Sequence, residues 1–174
     1  MSNVKHLKCI KCQQTFPAEP GIYTCPTCGR DGILDVIYDY DMIRKKVSKK
    51  SFAENQDYSM WRYLPFLPVD GDKRNNLLRV GWTPLYHSTR LGKILGLENF
   101  FIKDDGLNPT ASLKDRASAV AVAKAEEEGR NTVACSSTGN AASSLAGNAA
   151  AAGLKSYIFI PQRAPEGKVA QLLI

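Results

Sequence analysis

From Trp82 onward, apolar and polar positions run in blocks whose period changes repeatedly. TPLY (83–86) is a short extended run, STRLGKILG (88–96) has helical spacing and ends on Gly96, and ENFFIKD (98–104) returns to a strand-like apolar run. SLKDRASAVAVAKAEEEG (112–129) predicts a long helix stopped by Gly129. TVAC (132–135) is the next strand, NAASSLAGNAAAAG (140–153) the next helix and KSYIFIP (155–161) another strand, before a last helix begins near Gly167. Short strands separated by helices predict βαβ units, hence an α/β domain with a parallel sheet. Right-handed crossovers then place the loops before Lys114 and Asn140 at the carboxyl ends of strands, where ligands bind in such sheets.

The first 79 residues have a different pattern. DYDMIRKKVS (39–48) predicts a short helix capped at Asp39 or Asp41, residues 49–57 are polar and loop-like, and Met60 to Leu67 form an apolar segment beside Pro65 and Pro68. The chain therefore divides into residues 1–35, a connecting helix and loop over 36–79, and the α/β region over 80–174.

Composition is that of a soluble globular protein, with 44% hydrophobic and 23% charged residues. The net charge of +6 comes largely from Arg44 to Lys50 and from Lys73 to Arg79. Such charge can attract nucleic acid or anionic metabolites, but a solvated basic surface is the better account of it. MSNVKHLKC has no apolar stretch long enough for a signal peptide, and the Ala-rich run 141–152 is short and broken by Ser143, Ser144 and Asn148. A cytoplasmic protein with no membrane partner is expected.

Four of the five cysteines fall in two closely spaced pairs, Cys9-x2-Cys12 and Cys25-x2-Cys28. Four thiolates at this spacing predict a structural zinc ribbon, with a redox dithiol pair as the competitor. A catalytic zinc is disfavoured, because four cysteines leave no open coordination position. So small a lobe depends on its metal to fold. Cys135, at a strand end among apolar residues, reads as packing.

In NPTASLKDRAS (108–118), Ser112 and Asp115 form a capping-box pattern that sets Lys114 in the first turn of a helix. The helix dipole disfavours a cation there, and a neutral amine is what Schiff-base chemistry needs. The plain alternative is a solvated lysine balanced by Asp115. SSTGNAAS (136–143) then follows a strand and opens a helix at Asn140, a geometry that receives carboxylates and phosphates on unpaired backbone N–H groups. An ordinary polar-capped connection would read the same.

Taken together, PTASLKDR, SSTGNAA, VGWTPLY and FIKDDGLNPT resemble threonine synthase, a fold-type II pyridoxal-phosphate enzyme, and the resemblance runs from about Ser59 to the last residue. It implies that Lys114 carries pyridoxal 5'-phosphate as a Schiff base, that Asn140 hydrogen-bonds the cofactor's ring oxygen, and that Ser137, Thr138, Gly139 and Asn140 receive the substrate carboxylate. It implies conversion of O-phospho-L-homoserine and water to L-threonine and phosphate, and it leaves room for a homodimer. Leu113 stands where many relatives have phenylalanine, and Ala111 and Ala117 where many have glycine. A serine or threonine dehydratase, or a cysteine- or cysteate-forming enzyme of the same fold, would share Lys114 and the Asn140 loop. From another class, a zinc-ribbon nucleic-acid-binding module fits Lys5, Lys8, Lys11 and Arg30 with Phe16 and Tyr23, but leaves everything after Val80 unexplained.

Val169, Leu172 and Leu173 share a helical face, and the sequence stops at Ile174 with no capping residue. On the resemblance, the glycine-rich cup for the cofactor phosphate and the residue facing the pyridine nitrogen would follow. The 174 residues alone are expected to bind the cofactor weakly and turn over no substrate.

Overall fold

The computed structural model describes residues 3–70 and 78–173, and the chain splits into two compact units, Met1–Gln56 with Trp61–Lys73, and Asp57–Met60 with Arg74–Ile174.

In the first unit, β1 (Val4–Cys9) is the centre of a three-stranded antiparallel sheet, flanked by β2 (Thr15–Phe16) and β3 (Leu34–Tyr38). Pairing of Cys9 with Leu34 ends β1 at the first cysteine. The next element, α1 (Tyr40–Lys46), begins as expected at Asp39, whose carboxylate accepts the Met42 N–H at 2.8 Å. Residues 49–57 are not simply a loop: Lys49–Glu54 form α2, held by a reciprocal cap between Ser48 and Ser51. That cap supplies partners for the first-turn N–H groups where the sequence offers no apolar periodicity. Ile43 and Val69 are buried, and Phe52 stacks on Phe66 at 6.1 Å. The Asn3 amide donates to the Pro65 carbonyl at 3.0 Å, which ties the sheet to the 3-10 segment Met60–Phe66.

The second unit opens with β4 (Leu85–His87), α3 (Thr89–Leu95) and β5 (Phe101–Lys103). Contrary to the parallel expectation, β4 and β5 pair antiparallel, Leu85 against Lys103. The cause is local. Gly96 takes φ +69 at the end of α3, and Gly92 lets the chain fold back so closely that a Cβ there would lie 2.4 Å from the Leu97 carbonyl oxygen. The connection thus turns back on itself instead of crossing over.

Beyond it, α4 (Lys114–Glu127) precedes β6 (Thr132–Ser136), α5 (Asn140–Ala151), β7 (Lys155–Phe159) and α6 (Glu166–Leu173). Here the expected βαβ unit is present, with β6 and β7 parallel from Thr132↔Lys155 to Ser136↔Phe159. Val122, Leu145 and Ala149 form its core, with Val133, Cys135, Ala152 and Leu154 packed against them. Cys135 is therefore a packing residue on the helix-facing side of β6. Alanines at 119, 123, 142 and 149 are buried, which brings α4 and α5 together at short range. Among the described residues no helix is long and apolar enough to cross a membrane.

Candidate active site and metal centre

The α4 start differs in detail from the capping-box expectation. Leu113 is the N-cap and no side chain caps the helix, although the Ser112 hydroxyl accepts the Lys114 N–H at 3.2 Å. Asp115 does not reach back to Ser112, nor does it balance Lys114. Its carboxylate is fully buried and accepts from the Thr110 N–H (2.7 Å), the Thr110 hydroxyl (2.6 Å), the Ser144 hydroxyl (2.7 Å) and the Asn148 amide (3.2 Å). Successive helical residues do not face each other, so Asp115 points into the helix pair while Lys114 is exposed.

At the other loop, β6 ends at Ser136 and Gly139 is the N-cap of α5 in an extended conformation, with no side-chain cap. The Ser137 hydroxyl accepts the Gly139 N–H at 3.2 Å. Ser137, Thr138 and Gly139 are half-buried and Asn140 is exposed. First-turn N–H groups of an uncapped helix point outward and favour an anion. Asn140, Ser144 and Asn148 are spaced four apart on one stripe of α5. Because Ser144 and Asn148 both bond Asp115, that stripe faces the start of α4, one and two turns beyond Asn140.

A second polar cluster, which the sequence alone does not single out, ties the first turn of α4 to Asp105 and Thr83. Arg116 grips Asp105 through Nε (3.0 Å) and Nη2 (2.9 Å), and the Thr83 hydroxyl donates to the same carboxylate at 2.6 Å. The Arg116 guanidinium, then the Thr83 hydroxyl, hold the Asp105 carboxyl down at about 2. Nearby, the Gly81 N–H donates to the Asn108 side-chain oxygen at 2.9 Å, and Ala111 takes φ +57. Apart from Ala111 these residues lie inside VGWTP, KDDGLN and KDR, so the motifs were visible while the pairing across 11 to 33 residues was not.

The donor set fits pyridoxal phosphate. An exposed primary amine can bond a carbonyl carbon, and an exposed amide with unpaired N–H groups suits anionic oxygens. A sequence profile of the pyridoxal-phosphate dependent enzymes matches residues 77–174. The chain belongs to that family. Its relatives include the threonine synthases of Methanocaldococcus jannaschii, 43% identical over 163 residues, and of Methanosarcina acetivorans, 42% identical over 170. Those matches take in 94% and 97% of this chain but 38% and 40% of the relatives, so the chain spans about two fifths of their length. Among solved structures, the processed form of threonine deaminase isoform 2 from Solanum lycopersicum aligns with a TM-score of 0.52 at 20% identity, over 78% of this chain and 31% of that one, a likeness of fold.

In the first unit, the Sγ atoms of Cys9, Cys12, Cys25 and Cys28 all lie within 4.8 Å of one another. Cys12 Sγ and Cys25 Sγ are 3.6 Å apart, and none of the four is in a disulfide. A tetrahedron with Zn–S bonds of ~2.3 Å has edges of ~3.8 Å, so the four sulfurs fit that ion. The Cys12 N–H, and secondarily that of Lys11, point at Cys9 Sγ and draw its thiol down to about 7. Burial and then the neighbouring thiols push Cys28 up to about 12. Crowded sulfurs resist joint ionisation, which a bound dication would relieve. Gly32, absent from the sequence-based set, makes the close packing feasible: a Cβ there would sit 2.4 Å from Cys25 Cβ and 2.7 Å from Cys28 Cβ.

Proposed function

We propose that the chain supplies the lysine-bearing part of a threonine synthase, an enzyme converting O-phospho-L-homoserine and water to L-threonine and phosphate in the cytoplasm. The observation that carries this reading is the 42% identity to a threonine synthase over 97% of the chain, an extent that includes both cysteine pairs as well as the lysine motif. Its parts are a ribbon over 1–35, a connecting stretch over 36–79 and the cofactor-binding region over 80–174.

In this reading Lys114 holds pyridoxal phosphate through its amine. The cofactor, when bound, supplies an electron sink for carbanion chemistry at the substrate. Lys114 Nζ, once free, takes and returns protons between substrate carbons. Asn140 orients the ring by donating its amide to the ring oxygen. Ser137, Thr138 and the first-turn N–H groups of α5 bind the substrate carboxylate, which fixes the carbon chain against the lysine. Cys9, Cys12, Cys25 and Cys28 hold a structural zinc ion, and no reacting group is assigned to it.

A dehydratase of the same fold would use the same lysine and loop, so the deciding experiment is a substrate panel. The full-length protein with pyridoxal phosphate is expected to release phosphate from O-phospho-L-homoserine and form threonine. Deamination of threonine without phosphate release would favour the dehydratase. Lys114→Ala is expected to abolish the absorbance of the lysine-bound cofactor, and survival of that band would remove Lys114 from its role.

A further inference from the structure

Asp115 has a place in the fold that neither capping nor surface charge explains. It is a fully buried carboxylate whose four donors, two from Thr110 and one each from Ser144 and Asn148, are all neutral groups. Burying a charge this way costs more than an apolar pair of similar volume would. Ser144 is itself fully buried and Asn148 almost so, and Asn148 Nδ2 also donates to the Ser144 carbonyl at 2.9 Å. The cluster therefore has little freedom to rearrange. One side of it is the residue next to Lys114, and the other is the α5 stripe headed by Asn140. Gly147 completes the close approach, since a Cβ there would lie 2.8 Å from the Thr110 methyl.

We propose that Asp115 is a positioning residue: its buried carboxylate locks the first turn of α4, which carries Lys114, to the face of α5 headed by Asn140, so that amine and amide keep one relative placement. This rests on the reading that Lys114 holds the cofactor. A packed apolar pair could join the helices just as tightly, but hydrogen bonds to a fixed carboxylate also set rotation and register. A misplacement on the order of 1 Å at a reacting group costs about 100-fold in rate.

The test uses the full-length protein loaded with pyridoxal phosphate, with Ser144→Ala, Asn148→Ala and Asp115→Asn set beside Val122→Ala. Val122 is in the same helix–helix core but outside the polar cluster, so its truncation lowers stability without touching the carboxylate's donors. Expected for the cluster variants are a cofactor-retention loss of about 10-fold, a kcat loss of about 10- to 100-fold with KM little changed, and a shifted pH midpoint of the lysine-bound cofactor's absorbance. Val122→Ala is expected to keep the wild-type midpoint and kcat. Cluster variants that behave like Val122→Ala, losing melting temperature alone, would overturn the proposal. If Asp115→Asn does not fold, Ser144→Ala and Asn148→Ala decide it. Loss of the cofactor band in Lys114→Ala with unshifted cluster variants defeats the positioning role alone, whereas a band that survives Lys114→Ala defeats the assignment of the lysine.

Discussion

Arg116 clasps Asp105 from both ends of its guanidinium, at 3.0 Å through Nε and 2.9 Å through Nη2. The pair joins the loop before the lysine motif to the first turn of α4. Asp105 is held at about 2, below its ordinary 3.8, first by the Arg116 hydrogen bonds. A depressed carboxyl contributes stability that is complete above the ordinary value and disappears as pH falls through the folded one. Urea titrations of wild type and Asp105→Asn are therefore expected to differ by a constant amount, about 1–3 kcal/mol, above pH ~5. That gap should close between pH ~4 and ~2. A gap that stays open at the acid end would contradict the role given to the pair.

The cysteine cluster predicts one zinc per chain in protein purified without chelator, measured by elemental analysis. Uptake by the apo protein should release protons, since thiols must ionise to ligate. Gly32→Ala, which places a methyl 2.4 Å from Cys25 Cβ, is expected to weaken zinc retention by about 1–3 kcal/mol in a chelator competition. Zinc content near zero in the wild type would refute the site.

Ala111 sits at φ +57, the left-handed region. An L residue there loses about 1–2 kcal/mol relative to a right-handed conformation, while glycine costs about 0.4–1 kcal/mol through the unfolded chain. Ala111→Gly is accordingly expected to raise stability by about 0.5–1 kcal/mol, read as an upward shift of the urea midpoint. A lower midpoint would show that the alanine methyl has a packing role.

Gly81 is the opposite case. At φ +85, its added Cβ would meet the Met60 backbone nitrogen at 2.7 Å. Gly81→Ala is expected to cost about 2 kcal/mol or more in a urea titration, from strain and overpacking together. A change below ~0.5 kcal/mol would mean that the Met60 backbone yields.

Much of the fold was legible because its stops are glycines with a physical reason to be there. Gly96 and Gly129 take positive φ at the ends of α3 and α4, where the sequence placed them. The strand of 132–135 was legible too, since only Val133 and Cys135 needed to face α5. What could not be read was chemistry completed from afar. Asp115 matched a local capping pattern, yet its partners Ser144 and Asn148 lie 29 and 33 residues away. The β4–β5 pairing was missed because a helix between strands suggests a crossover, and only the return permitted by Gly92 reverses it. Lys114, Asn140 and the four cysteines stand out as candidates because amine, amide and thiol carry their chemistry in the residue type; Gly32 does not, because its contribution is the side chain it lacks.

The β6–β7 ladder has a kinetic consequence. Each pair in it, from Thr132↔Lys155 to Ser136↔Phe159, joins residues 23 apart. Closing a loop of that length costs little more entropy than closing one half as long, roughly 0.6 kcal/mol. The pairing is parallel and non-local all the same, so by topology the ladder closes more slowly than the helix α5 it spans. The loop that opens α5 then takes its shape only as β6 and β7 come together.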